Sequence, residues 1–437
     1  MIARVVRLEL GRSAAAVVAV ASFVIGTALL FSFPQAFAGR WLQLAAALRV
    51  LLLVLFPIAL AGGAALGRRE ARAGVGELFA ATPRPRRHRI LATAGALGAG
   101  LLAAYALTFL AGLARVVPTS GYFPPSALAV AGVGALSLLA GGWLGLAAGR
   151  AVPRFVTAPV VAVLGVAVVG MVPEWARVAP GAGADAAALL LTPVYAGGID
   201  DFQTVAARVS LVQALWLAAL AATGLLLAVA RPRTVAPALL PAVLGAAVAV
   251  PLLPSGGYAA AAAYDPGAVE LICDDHGPQV CVTRVHAALL PDIAGPVRAA
   301  LATLAARVPG APTRAVESRA PVYGTGPADP PHAAGTLVFL APSIGANGRA
   351  DLRDGSFPGL VLGAAWEQTC DPAPAGAFEG RELAVAWLTG AAPARPEPAA
   401  AYTALRARPE DEQRRLMVAA REAVLACRPD AFAGLTS

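Results

Sequence analysis

The sequence predicts a membrane-embedded all-α bundle of about seven transmembrane helices, followed by a small extracytoplasmic α+β domain. Three observations predict it. The 437 residues are 58% hydrophobic, only 14% charged and have a mean hydropathy of +0.68, far from the balance of a soluble globular chain. Apolar stretches of about 20 residues, enough to cross the hydrocarbon core as a helix, recur through residues 1–253. All four cysteines lie beyond them.

Seven stretches qualify as spans: 14–33, 45–66, 90–114, 127–149, 156–173, 209–230 and 234–253. The first ends in "LLFSFPQAFAG", whose small residues also suit a signal-peptide cleavage site, the alternative for that segment. "ADAAALLLTPV" at 184–194 is too short to cross and reads as interfacial or re-entrant. Arginine sets the orientation, since all 34 basic residues are arginine. With a cytoplasmic N-terminus, the inner segments 1–13, 67–89, 150–155 and 231–233 hold fourteen arginines. The outer loops hold Arg40, Arg115, Arg177 and Arg208, and Arg49 lies near enough to the outer end of the second span to snorkel outward. Fourteen against four is the asymmetry of a multi-pass cell-membrane protein with a positive inner side. Seven crossings put residues 254–437 outside the cell.

The charge follows the same division. Residues 1–253 carry 19 Arg against 7 acids, and residues 254–437 carry 15 Arg against 19 acids. The basic excess therefore belongs to the apolar domain, 1–253, where it reports topology. Nucleic-acid binding would need it gathered on a folded polar face.

The second domain, 254–437, starts after the small-residue linker "LLPSGGYAAAAAYDPG". "AVELIC" and "QVCVT" flank "DDHGP", the pattern of a hairpin with its turn at 274–278. Leu289, Ile293, Val297, Leu301 and Leu304 keep helical spacing, although Pro291 and Pro296 disfavour the first turns. "TRAVES" and "GTLVFLA" read as further strands, and the chain after Pro358 reads as helices. Pro409 followed by Glu410, Asp411 and Glu412 marks a helix start.

Cys273, His276, Cys281 and His286 stand at Cys-x2-His-x4-Cys-x4-His, a spacing that could hold zinc. An oxidising space favours disulfides instead. Four cysteines allow three connectivities, and the neighbour pairing, Cys273 with Cys281 and Cys370 with Cys427, is the expectation. In the loop-entropy description the short loop stabilises by about 2.6 kcal/mol and the long one by about 4 kcal/mol. No metal site or cofactor is assigned.

The sequence argues against an enzyme. It has no His-Glu-x-x-His for a zinc peptidase and no Gly-x-Ser-x-Gly elbow. "GGIDD" at 197–201 departs from the Gly-x-Gly-Asp of intramembrane aspartyl proteases, and His332 lies in a Pro-rich loop with no acid or nucleophile beside it. Without lysine there is no Walker A loop, so any nucleotide that drives this protein binds another chain.

The longest inner loop, 67–89, reads "GRREARAGVGELFAATPRPRRHR". It combines an apolar Leu78–Phe79 pair with Arg84, Arg86, Arg87, His88 and Arg89. Contact with anionic lipid is its plain role. Together with "MIARVVRLELGRS" before the first span, this loop resembles the permease subunits of ABC-2 type transporters, especially those of high-GC bacteria, over about residues 1–230. The resemblance implies a separate ATP-hydrolysing subunit docked on the loop, with Glu70, Glu77, Leu78, Phe79, Arg86 and Arg87 as the docking residues. It also implies a homodimer or a pairing with a sister permease, and a stretch at 174–208 folded partly back into the membrane. The seventh span and the tail depart from that family, whose core has six spans and both ends inside. A second reading therefore stays open: a non-transporting membrane sensor or binding protein whose outer domain recognises a ligand or partner.

Overall fold

A computed structural model describes residues 14–73, 86–178, 188–190, 192, 199–254, 261–320, 335–368, 370 and 374–436. Among them the chain divides into two compact units, one of 14–118 and 123–264, the other of 119–122 and 265–436.

The first unit is a bundle of apolar helices. Helix α1 covers Ala14–Leu30, and α2 (Trp41–Val50) and α3 (Leu52–Gly67) form one span bent by 49°. Then come α4 (Arg86–Val116), α5 (Ser126–Ala151), α6 (Thr157–Val178), strand β1 (Gln203–Val205), α7 (Ala207–Val229) and α8 (Leu240–Leu252). Among the described residues six helices are long and apolar enough to cross a membrane, five of them in this unit, and the bent pair would make one more span here. Helix α1, expected to cross over 14–33, has 17 described residues and gives way to turns before Pro34. Its described residues cover about 25 Å at 1.5 Å per residue.

Glycine sets the packing of this bundle. With no hydrophobic drive between helices in lipid, small residues that let backbones touch become the adhesive. Helix α5 offers Gly142, Gly145 and Gly149 to Gly63, Leu60 and Ala64 of α3. A Cβ at Gly145 would overlap the Leu60 carbonyl, and one at Gly149 the Ala64 carbonyl. On α7, Gly224 meets the α5 backbone at Trp143 and Leu144 in the same way. Helix α5 is thus held between α3 and α7 at backbone contact. Strand β1 closes the unit by pairing antiparallel with β2 (Ala262–Tyr264).

The second unit is built on a four-stranded sheet in the order β3 (Leu271–Asp274), β4 (Val280–Thr283), β5 (Arg314–Glu317), β6 (Thr336–Phe339). The first pair is the expected antiparallel hairpin, turning through Gly277 at φ +99°, where a side chain would be strained. The other pairs are parallel. Helix α9 (Leu290–Arg307) makes the crossover from β4 to β5 and buries Ile293, Val297, Leu301 and Leu304 in the core. Its composition also passes for a membrane span, but its apolar face belongs to this core. Pro291 sits in the first turn, where no amide is needed; Pro296 removes only one helical bond. Helices α10 (Phe357–Gly363), α11 (Ala377–Thr389), α12 (Pro396–Arg406) and α13 (Glu410–Leu425) complete the unit, with Trp366 fully buried among them. Pro409 stands one residue before the first turn of α13, as its N-cap.

Cys273 pairs with Cys281 across the hairpin, and Cys370 pairs with Cys427 beyond the end of α13. Non-reducing peptide mapping should recover these two links and no free thiol. Replacing both Cys370 and Cys427 by serine should cost about 4 kcal/mol of stability, against about 2.6 kcal/mol for the hairpin pair. A reverse ranking of the two double variants in thermal melts would reject the loop-entropy account.

Candidate functional site

Glu70 is the centre of the first site. It lies in the single helical turn Arg69–Arg72 that follows α3. One carboxylate oxygen is 3.3 Å from Arg150 Nη1 in the last turn of α5, and the other is 3.8 Å from Arg89 Nε in the first turn of α4. One acid therefore ties together the ends of three apolar helices. Arg86 and Arg87 stand exposed at the N-terminus of α4. Cations at that end oppose the helix dipole, so helix stability does not explain them. The pairs themselves are partly exposed and stabilise by no more than about 1 kcal/mol each. Of the six residues that the sequence groups as a docking surface, Glu70, Arg86 and Arg87 fall here, while Glu77, Leu78 and Phe79 lie outside the described residues.

Arg49 does not snorkel. It is 0% exposed, with Nε donating to the Val130 carbonyl at 3.1 Å and Nη2 donating to Gln213 Oε1 at 2.8 Å. Gln213 in turn donates to the Leu189 carbonyl at 2.9 Å. The bend between α2 and α3 lies two residues on. Arg49 joins α2, α5 and α7 through neutral acceptors. A second polar tie sits on the same helix, where Arg40 and Gln43 both bond Asp201, at 2.6 and 2.8 Å. Ionisable groups inside apolar bundles are costly and commonly functional.

In the second unit, the cysteine–histidine stretch separates into parts that do not converge. Its cysteines are bonded to each other. The side chain of His276 is 96% exposed and contacts Asp274 Oδ1 at 2.7 Å. Hydrogen bonds from the His276 backbone and side chain, then from Arg298, hold the Asp274 carboxyl well below the usual carboxylate range. His286 points elsewhere, with Nδ1 at 2.5 Å from Glu317 Oε1, both side chains buried. Glu317 Oε2 accepts from the Thr283 amide at 2.7 Å and its hydroxyl at 3.0 Å. Among the described residues no group of three or more His, Cys, Asp or Glu side chains could hold a metal. The histidine–glutamate pair binds the exit of β4 to the end of β5.

A third contact was invisible in the sequence. Residues 119–122, between α4 and α5, belong to the second unit. The Tyr122 hydroxyl donates to Asp265, whose two oxygens lie at 3.0 and 3.1 Å. Burial first, then the neighbouring Asp265 carboxylate, pushes the phenol up to about 12, with Arg284 opposing. It thus keeps its proton at any physiological pH. A Cβ on Gly121 would crowd the Arg284 carbonyl, and one on Gly267 the Tyr122 hydroxyl, so both glycines serve close approach. Tyr122 and Asp265 are 143 residues apart, and neither carries a local motif.

Comparison of the chain with protein-family models, with curated proteins and with solved structures gave no match.

Proposed function

We propose that the chain is the membrane-spanning subunit of an ABC-type transporter of the ABC-2 class, which moves a substrate across the cell membrane. A separate ATP-hydrolysing subunit supplies the energy. The reading is carried by the Glu70 tie. Glu70 links the start of α4 to the ends of α3 and α5, so force on that start reaches three helices together. The missing lysine supports it, because the chain has no Walker A loop of its own. In this reading the arginine-rich ends face the cytoplasm, the second unit is extracytoplasmic, and the permease works as a homodimer or beside a sister permease.

The test is co-purification in mild detergent. A nucleotide-binding subunit should accompany the wild-type chain, and the yield should fall at least about tenfold in Arg86→Glu with Arg87→Glu, where attraction becomes repulsion across several pairs. Unchanged recovery after alanine replacement of Glu77, Leu78 and Phe79 would reject the docking surface.

One observation supports a second reading, a membrane sensor whose outer domain recognises a ligand. The Tyr122–Asp265 bond builds a loop between two apolar helices into that domain, which suits a signal path. A kinase or regulator gene adjacent to this one, in place of an ATPase gene, would favour it.

A further inference from the structure

The helical half of the second unit contains a cavity of about 490 Å³ between α11, α12, α13 and the last described turn, Ala433–Thr436. That volume lies in the range of sites that take small organic ligands. Its walls are apolar: Leu383 from α11, Ala401, Ala404 and Leu405 from α12, Leu416 from α13, and Leu435. Three charged residues, Glu379, Glu397 and Arg408, line it as well.

The charges at the mouth do not balance. Arg408 is paired with Glu412 at 3.4 Å. Arg395 lies 3.6 Å from Glu379 but 2.6 Å from Glu382, and it stacks on the Phe378 ring at 4.3 Å, so Glu379 gets the weaker share. Glu397 is exposed and has no ion pair among the described residues. The charged lining is two carboxylates (Glu379, Glu397) against one guanidinium (Arg408), an excess of one negative charge over an apolar hollow. Such a rim attracts cations and disfavours anions, while the walls gain from burying carbon.

We infer that this cavity binds a small amphipathic cation, an apolar body carrying a protonated amine, with the amine at Glu397 and Glu379 and the body against Leu383, Leu405 and Leu416. The site lies wholly within the second unit, so it stands whether or not an ATPase docks on segment 74–89.

The experiment uses the full chain in lipid nanodiscs, with empty nanodiscs as the partition control. Equilibrium dialysis compares 1-adamantanemethylamine with 1-adamantanemethanol, which has the same body and no charge. The amine should bind saturably and about fivefold to tenfold tighter than the alcohol at low ionic strength, as a hydrogen-bonded charge at a partly exposed site allows. Glu397→Gln should bring the amine close to the alcohol. Ala404→Trp, at an exposed wall position, should fill the hollow and remove saturable binding of both without disturbing the buried core. Equal affinities, a preference for 1-adamantanecarboxylate, binding unchanged in both variants, or no saturable binding above empty nanodiscs would each overturn the inference.

Discussion

Gly145→Val will leave the chain unable to assemble its helical bundle. A Cβ at this position would fall on the Leu60 carbonyl, which is backbone and cannot rotate away. The α3–α5 contact would have to open, and Gly142, Gly149 and Gly63 would lose their backbone contacts with it. Overpacking against movable side chains costs about 1–3 kcal/mol; against a helix backbone the cost lies at or above that upper end. Gly145→Ala should fail for the same reason, since the first carbon already clashes. Gly132→Val, on the same helix, is the control, because nothing lies within 4 Å of its Cβ position. Size-exclusion profiles and thermal melts in detergent separate the two. If Gly145→Val is as monodisperse and melts as high as Gly132→Val, the backbone-contact account of this bundle is wrong.

Glu317→Ala should be the most damaging single change in the second unit. The carboxylate is buried and serves three groups at once: His286 Nδ1, the Thr283 amide and the Thr283 hydroxyl. Removing one partner of a buried charged pair costs about 3–5 kcal/mol, because the remaining polar groups are left in an apolar surround. Glu317→Gln keeps the shape and one carbonyl oxygen, so it should recover part of the loss. The readout is resistance of the second unit to proteolysis as temperature rises, in the full chain. Parent-like resistance in both variants would mean that the pair contributes little.

Sequence legibility tracked how local each interaction is. Hydropathy located α5 at 127–149 against an observed Ser126–Ala151, and α7 at 209–230 against Ala207–Val229, because a span depends only on its own residues. The hairpin, both parallel strands and the buried face of α9 were readable for the same reason. Arg49 differs from expectation because hydropathy records only position along the chain, whereas its acceptors Val130 and Gln213 lie 81 and 164 residues away. Glu317 and His286 are 31 residues apart, and neither lies in a recognisable motif with the other. The docking residues are read only as far as Glu70, Arg86 and Arg87, with Glu77, Leu78 and Phe79 outside the described residues. The cavity was not legible at all: its walls come from four helical pieces, and each alone looks like an ordinary amphipathic helix.

The strap at 119–122 has a consequence for biosynthesis. A chain made from its N-terminus delivers Tyr122 long before Asp265 exists, at a pace of about 5–20 residues per second. Four residues of the last unit to be synthesised are therefore already fixed between two helices when that unit begins to emerge. A recombinant fragment starting at residue 265 would lack Tyr122 and leave the Asp265 carboxylate and the face beside Gly267 uncovered. The C-terminal unit cannot be cut free as a terminal appendage, since part of it is encoded in the middle of the bundle.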